Sequence, residues 1–253
     1  MTILVGTTLC RFAMERPELW GAWMTNAEEM RECTDELVEF FAAIEMDAVG
    51  LSPFSPLVTA LESLVMPGQE PYFTFTLDDG RTEVTTGNRL RHITMGQNLV
   101  TDYACSRPDI THLLFMAADC MPAADAIPKL VEMDWPIVGG HVSTYCLDGP
   151  PVSVMSDRMG GTLVDTPDGA DVREHMATAA FILLRRDLFT KLRWRWSLED
   201  GMTDDPCMHH DALTLLGLPT YVRHDVIGKH YPEVIPAIEA RGYDLTVMRA
   251  AQL

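Results

Sequence analysis

Residues 3–8, Ile-Leu-Val-Gly-Thr-Thr, make a short apolar and β-branched run that ends in a polar turn, the pattern of a buried first strand. From Asn26 the period changes. Met30, Cys33, Leu37, Phe40, Phe41 and Ile44 recur at helical spacing, with Glu28 and Glu29 in the first turn where the helix dipole favours them, so a helix is predicted over 26–44. A shorter helix follows over 57–64, closed by Pro67-Gly68, then an extended run over 72–77 that ends at Asp78-Asp79-Gly80. A helix over 88–105 leads into the strand His112-Leu113-Leu114-Phe115-Met116, which stops at Ala117-Ala118-Asp119. Beyond it the pattern predicts a helix near 123–132, a strand at 137–140 and an irregular, mobile loop over the Gly-, Pro- and Asp-rich residues 147–171. A buried strand at 179–184, a helix from Asp205-Pro206 to Leu216 and a last strand over 221–227, just before His230, complete the order.

Strands alternating with helices imply an α/β fold in which a mostly parallel central sheet is covered by helices on both faces. No repeat or low-complexity tract divides the chain, so one domain over 1–253 is expected. In such sheets ligands bind outside the carboxyl ends of the strands. Those ends carry acidic residues here: Asp78 and Asp79 after one strand, Asp119 after the next, and Asp204 and Asp205 where a loop enters a helix.

Composition narrows the classes. The chain has 253 residues, 47% of them hydrophobic, enough for one sizeable core. No apolar run is long enough to cross a bilayer and no basic leader precedes the first strand, so a soluble, cytoplasmic protein without a membrane span is expected. Six scattered cysteines without Cys-x-x-Cys spacing predict reduced, packed thiols. Nineteen basic against 37 acidic residues give a formal charge of −18, which repels phosphate backbones at long range and argues against a nucleic-acid partner. Arg185, Arg186, Lys191, Arg193 and Arg195 form a local basic cluster, read as a solvated helix end with two tryptophans beneath it.

Carboxylates converging on one edge are what a hard divalent cation needs, and a diphosphate can supply the remaining oxygens. Taken singly each is ordinary. Asp after a strand is a common turn former, and Asp205 before Pro206 has the form of an N-cap with proline at the first helical position. His209, His210, Asp211, His224 and His230 are a rival cluster, but adjacent His209 and His210 would point about 100° apart on a helix and cannot easily share one zinc ion. No Gly-x-Ser-x-Gly elbow, Walker loop or Gly-x-Gly-x-x-Gly fingerprint is present, which weakens hydrolase, kinase and dehydrogenase readings.

In order along the chain, six segments resemble the inverting GT-A glycosyltransferases of family 2. Leu4-Val5-Gly6-Thr7-Thr8-Leu9-Cys10-Arg11 is similar to that family's first strand and turn, and Leu77-Asp78-Asp79-Gly80-Arg81-Thr82-Glu83 to its Val-Asp-Asp-Gly stretch. The run from Thr111 to Asp119-Cys120-Met121-Pro122 resembles the strand that ends in Asp-x-Asp and a proline, with Ala117 at the first acidic position, and Trp135-Pro136-Ile137-Val138-Gly139-Gly140 resembles the strand after it. Thr203-Asp204-Asp205 and Val226-Ile227-Gly228-Lys229-His230 look like the acidic catalytic motif and the C-terminal metal-binding histidine. The resemblance implies a nucleotide-diphospho-sugar donor, expected to be UDP-linked, and an acceptor hydroxyl of unknown class. It further implies Mn²⁺ or Mg²⁺ on Asp119 and His230, with Thr7, Arg11, Asp78, Asp79, Ala117 and Asp119 along the nucleotide. Asp205 would be the general base that deprotonates the acceptor, on the side of the anomeric carbon opposite the metal. A nucleotide-binding half over about 1–145 and an acceptor-side half over about 146–253 are expected. Ala117 motivates the alternative, a catalytically silent nucleotide- or sugar-binding protein of the same fold.

Overall fold

A computed structural model describes residues 1–9, 17–45, 72–75, 86–144, 152–155, 162–164, 172–174, 180–197 and 204–230. Its strands are β1 (Thr2–Leu9), β2 (Leu37–Glu45), β3 (Tyr72–Phe75), β4 (His112–Met116), β5 (Cys120–Pro122), β6 (Ile137–Thr144), β7 (Val152–Met155), β8 (Thr162–Val164), β9 (Val172–Glu174), β10 (Phe181–Arg185) and β11 (Tyr221–His230). Helices are α1 (Pro17–Glu32), α2 (Thr86–Ser106), α3 (Ala126–Glu132), α4 (Arg186–Phe189) and α5 (Asp204–Leu216).

All eleven strands join one sheet with the central order β3-β2-β1-β4-β10-β6-β11-β5. Strands β3, β2, β1 and β4 are mutually parallel, β10 is antiparallel to both β4 and β6, and β11 is again parallel to β6. The α/β class with helices on both faces stands, but the sheet is mixed, because β5, β7, β8, β9 and β10 all enter through antiparallel ladders. A strand such as Phe181–Arg185, buried along nearly its whole length, is apolar in either direction, so its pattern carries no sign of orientation.

Alternation along each strand splits the core in two. Leu4, Phe41, Ala43, Leu113, Phe115, Ile182 and Leu184 pack with Val100 and Ala104 of α2, Leu188 and Phe189 of α4, and Met208 and Ala212 of α5. Ile3, Val5, Val38, Phe40, Leu114, Met116, Phe181 and Leu183 pack with Trp23, Ala27 and Met30 of α1 and Ala126, Ile127 and Leu130 of α3. Each Val, Leu, Ile, Phe or Met among them, fully removed from water, contributes about 1.5–3 kcal/mol. On the first face Tyr103 stacks on Phe41 at 4.0 Å, and its hydroxyl accepts from Arg107, which also pairs with the buried Glu39.

The helix expected over 26–44 is replaced by two elements. α1 starts earlier, with proline at its first position, and ends at Glu32; its last bond runs from Cys33 N–H to the Glu29 carbonyl. Thr34 Oγ1 then accepts from the Glu36 amide, and Leu37 opens β2 between β1 and β3. A strand covered by a helix on each face, here α2 over Phe41 and Ala43 and α1 over Val38 and Phe40, is apolar on both faces, and its run merges with that of α1 into a false helical period. Two short strands, β7 and β8, lie inside the expected loop over 147–171. The helix expected over 57–64 lies outside the described residues. The helices at 88–105 and 123–132 appear as α2 and α3, the strand at His112–Met116 has the bounds expected, and β11 runs on to His230.

Candidate functional site

Direction is the first constraint. Because β6 is antiparallel to β10, and β10 to β4, the strands β1, β2, β3, β4, β6 and β11 all point their carboxyl ends the same way. α5 ends at Leu216, where Gly217 at φ 67 forms a left-handed cap and its amide donates to the Leu213 carbonyl at 3.0 Å. β11 starts at Tyr221, so the carboxyl end of α5 lies at the amino end of β11. Its amino end, Asp204 and Asp205, therefore points back toward the carboxyl edge of the sheet.

The second constraint is a turn. Ala117 N–H donates to the Ala180 carbonyl at 2.8 Å, and the Cys120 amide donates to the Ala117 carbonyl at 3.0 Å, closing a β-turn with half-buried Asp119 at its third position. That turn joins β4 to β5, yet β5 pairs with β11, three strand spacings from β4 in the sheet order. Three spacings amount to roughly 14 Å, whereas the ends of a β-turn lie within about 7 Å. The sheet must therefore curl so that the end of β11 crosses over the end of β4.

Three extra residues in β11 produce the curl. Arg223 pairs with Gly140 and Ile227 with His141, so residues 224–226 bulge out against β6. Arg223 fixes the bulge: it bonds both oxygens of Asp225, at 2.8 and 3.4 Å, and the Lys129 carbonyl of α3 at 2.6 Å. Beside the guanidinium, the Asp225 carboxyl is held below its ordinary range, and Lys129 adds a further positive charge. Two glycines make room. A Cβ on Gly140 would lie 2.7 Å from the Val226 carbonyl and against the Phe181 ring, and one on Gly228 would lie 2.8 Å from Cys120 Sγ. Beyond the bulge, Gly228, Lys229 and His230 pair with Pro122, Met121 and Cys120. The backbone of His230 thus stands opposite the residue that follows Asp119.

The ground beneath this edge is apolar with isolated polar atoms. Cys120 is fully buried, and burial together with the neighbouring Asp119 charge pushes its thiol well up, so it stays neutral. Asn26 of α1 donates to the Pro122 carbonyl at 2.8 Å and fastens β5 from below. Thr7, 1% exposed at the end of β1, has a hydroxyl with no hydrogen-bond partner among the described residues. His141, at the start of the curled part of β6, is buried, and burial lowers its imidazole below the ordinary value.

Of the residues singled out from the sequence, Thr7, Ala117, Asp119, the backbone of His230 and partly buried Asp205 lie on elements that reach this one edge. Arg11, Asp78 and Asp79 lie outside the described residues. Among the described residues no three His, Cys, Asp or Glu side chains gather as a metal group. Asp211, named in the rival histidine cluster, has both carboxylate oxygens engaged by Arg195, each at 2.7 Å. The basic cluster is likewise paired internally: Arg185 with Asp187 and Asp134, Arg193 with Asp102, and Arg186 with the carbonyls of Ala104, Cys105, Arg107 and Ile110. Sequence reasoning missed β5, the bulge at 224–226 and Asn98, whose contacts are described below.

No described helix is long and apolar enough to cross a membrane. No family model matches the chain, and no curated protein matches it. Among solved structures, the chain is similar to GalNAc-T7 in complex with UDP, GalNAc and Mn²⁺, at 11% identity and a TM-score of 0.52, over 91% of this chain and 44% of that one. It is also similar to A197 from STIV (10% identity, TM-score 0.44, 91% of this chain and 86% of that one). A third likeness is to the galactosyltransferase LgtC with donor and acceptor sugar analogues (12% identity, TM-score 0.37, 73% and 58%). The order β3-β2-β1-β4-β10-β6-β11-β5, with helices on both faces and a curled carboxyl edge, is a GT-A-like α/β fold.

Proposed function

We propose that this protein is a metal-dependent glycosyltransferase that moves a sugar from a nucleotide-diphospho-sugar, UDP-linked, to an acceptor hydroxyl. The observation that carries the reading is the β5–β11 ladder, which puts the backbone of residue 230 opposite Cys120 and so beside the Asp119 turn, in a fold shared with a protein solved with UDP and Mn²⁺. The donor set fits a hard divalent cation, Mn²⁺ or Mg²⁺: Asp119 is a half-buried carboxylate at a turn on the ligand-binding edge, and the second ligand would be the imidazole of His230. When bound, the ion would neutralise charge that develops on the leaving diphosphate. The buried Thr7 hydroxyl, without a partner among the described residues, would line the nucleotide with Arg11, Asp78, Asp79 and the backbone at Ala117. Asp205, on the first turn of α5, would take the proton of the acceptor hydroxyl as the oxygen attacks the anomeric carbon, with inversion. Residues 1–145 would hold the donor and 146–253 the acceptor.

Thermal stabilisation by UDP, GDP and dTDP sugars with Mn²⁺ tests the donor reading; the UDP series is expected to raise the melting temperature most, a ligand at 100 times its Kd being worth about 2.7 kcal/mol. In Asp205→Asn, donor binding should stay intact while transfer falls about 10²-fold, the scale of a lost general base. Calorimetric binding of UDP without turnover on any donor and acceptor would instead favour a silent binding protein. Full transfer by Asp205→Asn would remove the base assignment.

A further inference from the structure

Residues 192–197 cross between α2 and α5 immediately before the segment that leads into α5, and both helices grip them. Asn98 of α2 bonds the backbone of Trp194 twice, its Nδ2 donating to the Trp194 carbonyl at 2.9 Å and its Oδ1 accepting from the Trp194 amide at 3.0 Å. A side-chain amide engaged in this way takes up the N–H and C=O of one residue as a neighbouring strand would, fixing both position and rotation. The Trp194 ring is buried edge-on against Phe115 of β4, 4.9 Å between centroids, one residue short of the end of that strand. On the other side Arg195 makes a two-toothed ion pair with Asp211 of α5, and the carboxylate is only 14% exposed. Such paired, charge-assisted bonds set geometry as well as energy.

These contacts tie together the strand whose end carries Asp119 and the helix whose start carries Asp205. We propose that residues 192–197 act as a strap that sets where the first turns of α5 stand relative to the end of β4, with Asn98 and the Arg195–Asp211 pair as its positioning residues. Through the Asp205 role this rests on the transferase reading, but the strap itself is a statement about α5 that can be measured without turnover. Arg193 offers a matched control, since its pair with Asp102 at 2.9 Å is about half exposed on both sides and contributes little.

The experiment measures amide hydrogen exchange in Asp211→Asn, Arg195→Gln, Asn98→Ala and Arg193→Gln, together with UDP binding in Mn²⁺ and UDP release from UDP-hexoses. In the first three variants the amides of residues 208–212, which bond carbonyls of the first turn of α5, should exchange about tenfold faster, the factor for one lost charge-assisted hydrogen bond. UDP affinity should stay within about twofold while turnover falls about tenfold, because only the base side is displaced. Arg193→Gln should match the wild type in all three. Asp211→Asn keeps side-chain shape but turns one accepting oxygen into a donor and removes the charge, so it breaks the pair without a cavity and serves where Asn98→Ala fails to fold. Unchanged exchange at 208–212, or equal acceleration in Arg193→Gln, would overturn the strap whatever the chemistry. If Asp205→Asn keeps full transfer while the exchange result holds, the base assignment fails and the strap survives; if Asp205→Asn is inactive while the strap variants exchange and turn over normally, the strap fails alone.

Discussion

The two wings of the sheet are built by opposite means. In the wing β3-β2-β1-β4 the ladder between β1 and β2 runs without a shift from Thr2↔Leu37 to Leu9↔Ile44, and every pair is parallel. In the wing β6-β11-β5 the parallel ladder breaks at Arg223, takes in residues 224–226, resumes at Ile227↔His141 and gains the antiparallel partner β5 on its other edge. The straight wing brings Thr7 and the Asp119 turn to the edge by strand length alone. The bent wing brings residue 230 to the same place from three strands away, and it needs a bulge, two glycines and an ion-pair network to do so. A regular ladder supports a site; an irregular one closes it.

Unequal ligands provide the sharpest break in that comparison. Asp119→Ala, on the straight side, should abolish Mn²⁺-dependent UDP binding, whereas His230→Ala, on the bent side, should only weaken it, because the carboxylate brings charge and the neutral imidazole does not. Titration calorimetry with UDP and Mn²⁺ decides this, and binding by Asp119→Ala at wild-type strength would remove the metal assignment.

A second test compares one glycine from each wing. A Cβ on Gly140 would press on the Val226 carbonyl and the Phe181 ring at the bulge, while one on Gly6 would press on the Val100 side chain of α2. Both alanine variants should lose about 1–3 kcal/mol to overpacking in a denaturant titration. Only Gly140→Ala should also weaken UDP binding in Mn²⁺, since only there does backbone have to give. Equal UDP affinity in the two variants would separate the bulge from the site.

The smallest effect is one of pH, and both wings contribute to it. Burial lowers the imidazoles of His112 in β4 and His141 in β6, and Arg185 lowers His112 further. Both stay neutral in the fold, while in the unfolded chain they take up protons as pH falls through about 6.5. The unfolded state then binds more protons, so stability is fully present above that value and is lost as pH falls toward the folded values. Melting temperature should decline from pH 7.5 to 5.5, and His112→Asn should flatten the decline; an unchanged slope would place the proton uptake elsewhere.

Legibility in the sequence followed the same divide. His112–Met116 is readable because four consecutive apolar residues, Leu113 to Met116, follow the histidine and all are buried, and the stop at Ala117-Ala118-Asp119 marks its turn. Leu37–Glu45 reads as helix because α1 and α2 cover its two faces and make both apolar, and such a run has no period of two. The end of β11 was cut short at 227, since the bulge and β5 exist only through tertiary pairing and leave no local pattern. The roles proposed for Asp119, Asp205 and His230 rest on resemblance to a motif, not on periodicity. Asn98 had no signal at all: a polar residue on a long helix reads as solvated until Trp194 is seen beside it.

β10 also sets the order in which the sheet can assemble. Among the described ladders it alone joins the two wings, pairing Phe181–Arg185 with β4 on one side and with β6 on the other. The chain therefore makes β4 and β6 in succession but cannot seat them in one sheet until residue 185 is available. Until then the buried strand Leu113-Leu114-Phe115 has an open edge, the kind of unpaired surface that invites pairing with another chain. Closure at β10 is a late, long-range event of the sort that slows folding, and the curled edge that carries the site can form only after it.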